Sequence, residues 1–402
     1  MSTPSTHDGV DVTIAIVTRN RRELLRSAVR SALQQEGRVE VLVLDDGSAD
    51  GTSDMVRDEF PSVRVARYDD NRGVAVRRND AAALAKGPVI VSIDDDAVFT
   101  SPRIVADTLA EFDHPQIAAV AMPYIDVGMD PAVRQQAPDG EDRWVTSIFR
   151  ATAYAIRRDL LLAIGGYDGR VDQFGEEWEL SLRLLDAGHV IRLGRAEPIH
   201  HHESPRRSWR RMDILSRRNE QLIAWTYFPF PWNLISMAWY AVKGLRNGVR
   251  VRRRWIAVVG VAEGLKACVA ARRDRQPISR AAFAFDRLVR ARARDGAGVT
   301  LAEAAAQLQL PGPRPKPEAG GWPGPLARLH APLRRARTTV VGKVGRPVRC
   351  EVCGGELFRV LPLVSGGRLN LLGAEQMPVR ADWDKMNRMT FRHVDRDLCD
   401  RP

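Results

Sequence analysis

The sequence predicts an α/β fold: a mostly parallel sheet flanked by helices, followed by a basic, mainly helical C-terminal region. Three observations predict it. Over the first hundred residues, apolar β-branched runs alternate with stretches of helical spacing, the pattern of a parallel sheet covered on both faces. Three of those runs end in polar clusters, Thr18–Asn20, Asp45–Ser48 and Asp94–Asp96, and in such sheets ligands bind beyond the carboxyl ends of the strands. After Ser204 the charge reverses. Residues 1–204 hold 23 Lys+Arg against 34 Asp+Glu, and the rest of the chain holds 38 against 16.

The elements follow in order. Residues 12–17, VTIAIV, are apolar and β-branched and suit a buried strand. The next stretch, RNRRELLRSAVRSALQQ, places Leu24, Leu25, Ala28, Val29 and Leu33 at helical spacing. VEVLVLDDGSADGT is a second buried strand that ends in carboxylates and a Gly/Ser turn, and SADGTSDMVRDEF reads as helix. VRVARYDDN is a third strand, GVAVRRNDAAALAK a helix and GPVIVSIDDDAVF a fourth strand. From about 100 to 150 the pattern is mixed, with turn signals at GMDPAV and QQAPDGED. SIFRATAYAIRRDLLLAIGGYDGRVDQFGEEWELSLRLLDAGHVIRLG then predicts a strand, a helix, a Gly–Gly turn and a second helix from Glu176 to Asp186, with Gly188 just past its end.

At 402 residues, with 44% hydrophobic content and a net charge of +11, the chain is long enough for two to three structural units. We expect four regions: a catalytic domain over 1–205, a basic and aromatic helical region over 206–307, a Pro/Gly/Arg-rich linker over 308–345, and a small module over 346–402. Leu222 to Val242 carries no charge, but Pro229, Pro231 and Asn233 interrupt it and it is rich in Trp, Tyr and Phe. Rings of that kind favour a membrane–water interface over its interior. With Arg246, Arg250 and Arg252–Arg254 directly behind it, the segment is expected to be broken or interfacial rather than spanning; an apolar hairpin packed on the enzyme is the alternative. The N-terminus lacks the features of a signal peptide, so a cytoplasmic location is expected, peripheral at the inner face of the cell membrane. Four cysteines in this length exclude a disulfide scaffold. The basic half also suits nucleic acid, but no nucleic-acid-binding motif is present and none is expected as a partner. Cys350 and Cys353 have metal-like spacing, and a structural Zn²⁺ there is one reading; two free thiols is the other. Cys268 lies in an apolar helical run and reads as core.

Five clusters carry chemistry. Asp94, Asp95 and Asp96 at a strand end suit a hard divalent cation, Mg²⁺ or Mn²⁺, and alternation sends Asp94 and Asp96 one way and Asp95 the other. The simpler reading is a solvated, helix-capping loop. In DDGSADGT, Asp46 is placed to accept hydrogen bonds from a base or ribose, or to cap the next helix. NRGVAVRRN offers Arg72, Arg77 and Arg78, whose guanidinium groups match phosphate oxygens. FGEEWELSL sets carboxylates at a helix start, where they stay ionised and are able to act as a general base. In HHHES an extended segment prevents all three histidines from facing one ion, so one of them joins Asp96 or the run is a solvated turn.

In this order the five clusters resemble the inverting family 2 nucleotide-sugar glycosyltransferases of the GT-A fold, over roughly residues 10–205. The resemblance implies a Rossmann-like sheet and a donor pocket that includes Thr18, Asn20, Asp46, Arg78 and Asp94, with Asp46 at the base and Arg78 near the nucleotide. It implies a DxD pair in Asp94 and Asp96, with Asp96 and His201 as metal ligands and His202 as a further candidate. The family usually has Glu-Asp where this chain has Glu176-Glu177, so the implied catalytic base is Glu177, one methylene longer. The implied activity is metal-dependent transfer, with inversion, of a sugar from a UDP- or dTDP-linked donor to a hydroxyl of a glycan or lipid-linked acceptor in cell-envelope polysaccharide biosynthesis. An anionic membrane surface is the implied partner of the basic half. A catalytically silent GT-A-like module that binds nucleotide or docks on the membrane is the alternative, supported by the Glu for Asp change. A sugar-nucleotide-forming nucleotidyltransferase needs a Gly-rich loop near the first strand, and VTRNRRELL has no glycine.

Overall fold

The computed structural model of the protein describes residues 9–127, 130–171, 173–202 and 209–308, with short strands at 348–349, 356–357, 370–372, 378–381 and 391–393. Cys350, Cys353 and residues 309–345 lie outside the described residues.

The alternation read from the sequence forms β1 (Val12–Thr18), α1 (Arg22–Ala32), β2 (Val39–Asp45), α2 (Thr52–Glu59), β3 (Arg64–Arg67), α3 (Val74–Leu84) and β4 (Val89–Asp94). The mixed stretch resolves into β5 (Ala97–Val98), α4 (Ile104–Ala110), β6 (Ile117–Ala121), β7 (Tyr124–Asp126), β8 (Asp130–Arg134) and β9 (Trp144–Thr146). Next come β10 (Ala153–Arg157), α5 (Arg158–Ala163), α6 (Glu176–Asp186), β11 (Val190–Leu193) and β12 (Ile199–His201). The basic half contributes α7 (Trp209–Tyr227), α8 (Trp232–Arg250), α9 (Arg254–Ala270), α10 (Arg280–Arg294), β13 (Val299–Thr300) and α11 (Leu301–Leu308).

A central sheet runs in the order β13-β9-β11-β6-β10-β4-β1-β2-β3. Its strands run the same way except β9 and β10, which are antiparallel to their neighbours. The expected mostly parallel sheet flanked by helices is therefore the one observed. Both faces of the inner strands are apolar because both are covered. Ile14, Ile16, Val41, Val43, Val91 and Ile93 join Leu25 and Val29 of α1 in one core. Ala15, Leu42, Leu44 and Ile90 join Ala75, Ala81 and Ala82 of α3 in the other. Helix α1 stops at Ala32, which leaves Leu33 40% exposed instead of on the apolar face its spacing suggested.

Parallel register levels the strand ends. Thr18 of β1 pairs with Asp45 of β2, and Val17 with Asp94 of β4. A second, small sheet in the order β5-β12-β7-β8 stands beyond those ends. It pairs His201 with Ala97, directly after Asp96, and with Asp126 on the other side.

Residues 209–307 share the core of the front half. Leu222, Ile223, Tyr227, Phe283, Phe285 and Val289 are buried in the same cluster as β1 and β4, and Val299–Thr300 pairs with β9 as the sheet's edge. The uncharged segment is broken, and its two parts differ. Leu222–Tyr227 ends α7, with Leu222, Ile223, Ala224 and Tyr227 buried, whereas α8 begins at Trp232, after Pro229 and Pro231. Proline removes the donor that would carry α7 onward. Small residues let α9 lie close on α7: a Cβ on Gly260 or Gly264 would meet Arg217 or Gln221 at 3.1 and 2.7 Å. Cys268 is buried, as its apolar setting suggested. Among the described residues, no helix is long and apolar enough to cross a membrane.

Gly87 precedes β4 and lies directly on β1. A Cβ there would sit 2.6 Å from the backbone of Val12 and Thr13, and a central strand has no room to yield. Gly87→Ala is expected to cost about 1–3 kcal/mol, the range for overpacking a core, read as a lower urea midpoint with an unchanged m-value.

Candidate active site

The levelled strand ends open into a cleft of about 1650 Å³. Thr18, Asp46, Arg78, Asp94, Asp96, Glu177 and His201 all line it. Asn20 does not. With a left-handed φ of 53°, it ties the β1 loop to the β2 loop, accepting a bond from the Ala49 N–H at 2.7 Å and donating its own N–H to Ser48 Oγ at 2.9 Å.

Asp94, Asp96 and His201 each offer a ligand atom, and these atoms lie within 4.8 Å of one another. Two hard carboxylate oxygens and an imidazole suit Mg²⁺ or Mn²⁺, so the residues present fit the expected cation. Asp94, expected on the donor side, thus stands with Asp96 and His201 as a candidate ligand. Strand alternation selects the histidine: His201 is buried, whereas His200 and His202 are exposed. His201 Nδ1 lies 2.6 Å from Asp126 Oδ1, and Nε2 lies 3.3 Å from Asp96 Oδ1. A carboxylate behind a ligand histidine fixes its ring and tautomer. Burial by itself would lower the His201 pKa, but the bonds to Asp96 and Asp126 outweigh it and push it up to about 9.

Asp95 is not part of this group, but strand alternation is not the reason: β4 ends at Asp94, and Asp95 and Asp96 lie in the turn that follows. Asp95 accepts hydrogen bonds from Thr18 Oγ1 at 2.7 Å and from Arg21 Nη1 at 2.9 Å. Burial pushes its carboxyl up to about 7, against the pull of Arg21. The Thr18 hydroxyl, expected on the donor side, is therefore engaged with Asp95. Arg21 also reaches Asp96 at 2.6 Å and holds the acidic turn together.

Asp46 binds its own chain. It accepts from the backbone N–H of Arg72 and Gly73, each at 2.9 Å, and from Arg77 Nε at 2.6 Å. Its carboxylate thereby fixes the turn that starts α3, while its edge still lines the cleft. Arg77 is buried among Asp46, Asp70 and Asp80, with its guanidinium 3.5 Å from the Tyr68 ring. Arg78 is buried as well. It reaches Glu176 at 3.2 Å and Asp94 at 3.3 Å, joining the start of α6 to the end of β4.

The two glutamates at the start of α6 differ in setting. Glu176 is buried; burial and the neighbouring Glu177 charge push its carboxyl well above the usual range, and Arg78 opposes them. Glu177 is half-buried on the cleft wall and accepts from the Ala151 N–H at 3.3 Å. Arg78→Leu would leave Glu176 buried without its cation. Breaking such a pair costs about 3–5 kcal/mol, and the double variant with Glu176→Gln should regain part of it, measured by a denaturation cycle.

Sequence reasoning missed Asp126, Arg21 and Trp178. Asp126 lies in the mixed stretch, where no periodicity marked a strand, and only the β7–β12 pairing brings it to His201. Arg21 is one of several arginines in RNRR with no local sign of which one turns inward. Trp178 directly follows the Glu176-Glu177 pair with no signal of its own, yet it lines the cleft.

Residues 13–170 match the family described as Glycosyl transferase family 2. The succinoglycan biosynthesis protein ExoU of Rhizobium meliloti (strain 1021) is 35% identical over 122 residues, which are 27% of this chain and 36% of that protein. ExoO of the same organism, also a succinoglycan biosynthesis protein, is 37% identical over 106 residues, 26% of this chain and 30% of that protein. The chain thus spans about a third of the length of these curated relatives. Among solved structures, a mannosyltransferase from Pyrobaculum calidifontis in complex with GDP-Man and Mn²⁺ aligns with a TM-score of 0.44 at 20% identity, covering 74% of this chain and 85% of that one. The segment that matches Glycosyl transferase family 2, residues 13–170, is the one whose strand ends supply Asp46, Asp94 and Asp96 to the cleft.

Proposed function

We propose that the chain is a metal-dependent, inverting glycosyltransferase. It moves a sugar from a UDP- or dTDP-linked donor to a hydroxyl of a glycan or lipid-linked acceptor. The observation that carries this reading is the convergence of Asp94, Asp96 and His201 in one cleft with Glu177. Asp94, Asp96 and His201 would hold Mg²⁺ or Mn²⁺, which when bound neutralises charge on a departing diphosphate.

The rest of the chemistry belongs to the chain's own residues. Glu177 takes the proton from the acceptor hydroxyl. The oxygen forms its bond to the anomeric carbon as the bond from that carbon to the diphosphate breaks, its electron pair leaving with the diphosphate. Attack from the opposite face gives inversion. Asp46 shapes the donor turn through Arg72, Gly73 and Arg77, and Arg78 fixes Asp94 relative to α6.

The succinoglycan biosynthesis relatives support envelope polysaccharide as the setting. The excess of basic residues behind residue 204 supports peripheral docking on an anionic, cytoplasm-facing membrane surface. The test is release of nucleoside diphosphate from a panel of UDP- and dTDP-sugars by the full chain, with acceptor and Mn²⁺. Turnover should vanish on chelation with EDTA and return when Mn²⁺ is restored. Nucleotide binding without turnover across the panel would replace this reading with that of a silent binding module.

A further inference from the structure

The cleft does not end at Glu177. It continues between α8 and α10, helices outside the family-matched segment, past Trp178, Trp232, Tyr240 and Phe283. The Trp232 and Phe283 rings lie 6.0 Å apart, as do those of Trp178 and Tyr240. Such rings are platforms for a sugar face. Arg287, Arg290 and Arg294 follow one another at i, i+3 and i+7 on α10, so they share a helix face, and all three line this arm. The Arg287 guanidinium lies 4.9 Å from the Trp232 ring centre, and that of Arg290 lies 4.7 Å from that of Trp178.

The charge in this arm is unbalanced. Asp286 pairs with Arg290 at 2.8 Å and Glu220 with Lys243 at 3.0 Å. Among the described residues, no carboxylate forms an ion pair with Arg287 or Arg294. One end of the cleft is therefore acidic, around Asp94, Asp96 and Glu177, and the other keeps surplus guanidinium. A neutral sugar needs the rings alone, whereas surplus guanidinium matches phosphate oxygens.

The mouth of the arm is apolar. Ile235, Trp239 and Val242 recur at i, i+4 and i+7 on α8 and are 51%, 65% and 51% exposed. Ile235 and Trp239 also line the cleft, so the arm opens directly onto this stripe. Exposed Val249, Trp255 and Val269 extend the apolar surface along α8 and α9. A water-soluble glycan has no use for such a stripe, and a hydrocarbon chain does.

Resting on the glycosyl-transfer reading above, we propose that the α8–α10 arm is the acceptor subsite and takes a sugar carried on a phosphate-bearing lipid. The phosphate sits at Arg287 and Arg294, and the hydrocarbon leaves over Ile235, Trp239 and Val242.

The experiment is co-sedimentation of the full chain with phosphatidylcholine vesicles that contain a polyprenyl diphosphate, the uncharged polyprenol, or phosphatidylglycerol at matched surface charge. Binding to the diphosphate vesicles is expected to be at least about tenfold tighter than to either of the others. Arg287→Ser with Arg294→Ser should abolish that preference, and Trp239→Ser should weaken binding to all three. Equal binding to the diphosphate and phosphatidylglycerol vesicles would mean a general anionic surface and overturn the assignment. A preference that survives the double arginine variant would overturn it too. Calorimetry of UDP and dTDP with Mn²⁺ on the same protein separates the two readings. Intact nucleotide binding with no lipid preference removes this inference alone, whereas failure of both nucleotides to bind removes the donor-site reading beneath it.

Discussion

Glu177→Gln is expected to lower the transfer rate by about 10²–10⁴-fold, the usual contribution of a positioned general base, with nucleotide affinity unchanged. The amide keeps the length of the glutamate and its carbonyl still accepts from the Ala151 N–H, so the local fold should persist. What is lost is the ability to take a proton. Glu177→Asp is the informative companion. The aspartate common in the resembled family is one methylene shorter, and in this chain α6 and Ala151 set the position of the longer residue. Partial activity is therefore expected, above that of Glu177→Gln and below that of the parent. Glu176→Gln should behave differently, because Glu176 is buried against Arg78 and does not present a free carboxylate to the cleft. Its effect should appear mainly in stability. Full turnover by Glu177→Gln, measured as nucleoside diphosphate release with folding verified by circular dichroism, would remove Glu177 from the chemistry.

The second large effect concerns the cation group. Asp96→Ala should abolish Mn²⁺ binding and Mn²⁺-dependent turnover together. Asp126→Asn, which touches no cation but frees the His201 ring, should weaken Mn²⁺ affinity by about 10–100-fold, the range for a carboxylate that orients a ligand histidine. The pH dependence follows from His201. Its pKa is raised to about 9 by Asp96 and Asp126, so at neutral pH the ring holds a proton on the nitrogen a metal needs. Mn²⁺ must displace that proton, so apparent affinity should rise with pH, by up to about tenfold per unit, and level off near pH 9. In the metal-free protein the sign is reversed for stability. The charged pairs of His201 contribute fully below its ordinary pKa of 6.5 and are lost as pH rises through about 9. Calorimetry of Mn²⁺ in buffers of different ionisation enthalpy would show the released proton. An affinity that does not change with pH would remove His201 from the ligand set.

The elements up to Asp94 were legible because each is specified within a few residues. Apolar alternation and β-branching mark β1, β2 and β4, and an apolar stripe marks α1. Both β4 faces are buried, so VIVSI reads as a strand without reference to anything distant. That local rule stops at Asp94, because Asp95 and Asp96 lie in the turn after β4, and the side-chain bonds of that turn set them apart. The basic half was less legible. Its charge and rings described a surface, yet Leu222, Tyr227, Phe283 and Phe285 are core and Val299–Thr300 completes the sheet. Composition reports how many charges a region holds, not which side of a helix they occupy.

What the sequence by itself determined is therefore local: the strand–helix order, the carboxylates at the strand ends and the glutamate pair that opens α6. What only the tertiary structure decided is convergence. The β12 pairings with β5 and β7 choose His201 from three adjacent histidines and give it Asp126. The packing of α10 against α6 and α8 adds rings and arginines to a cleft that the front half begins. The reason is physical. Periodicity and turn chemistry act between neighbours along the chain, whereas ligand groups and cleft walls join residues far apart in sequence, and their meeting depends on register and packing that no short stretch encodes.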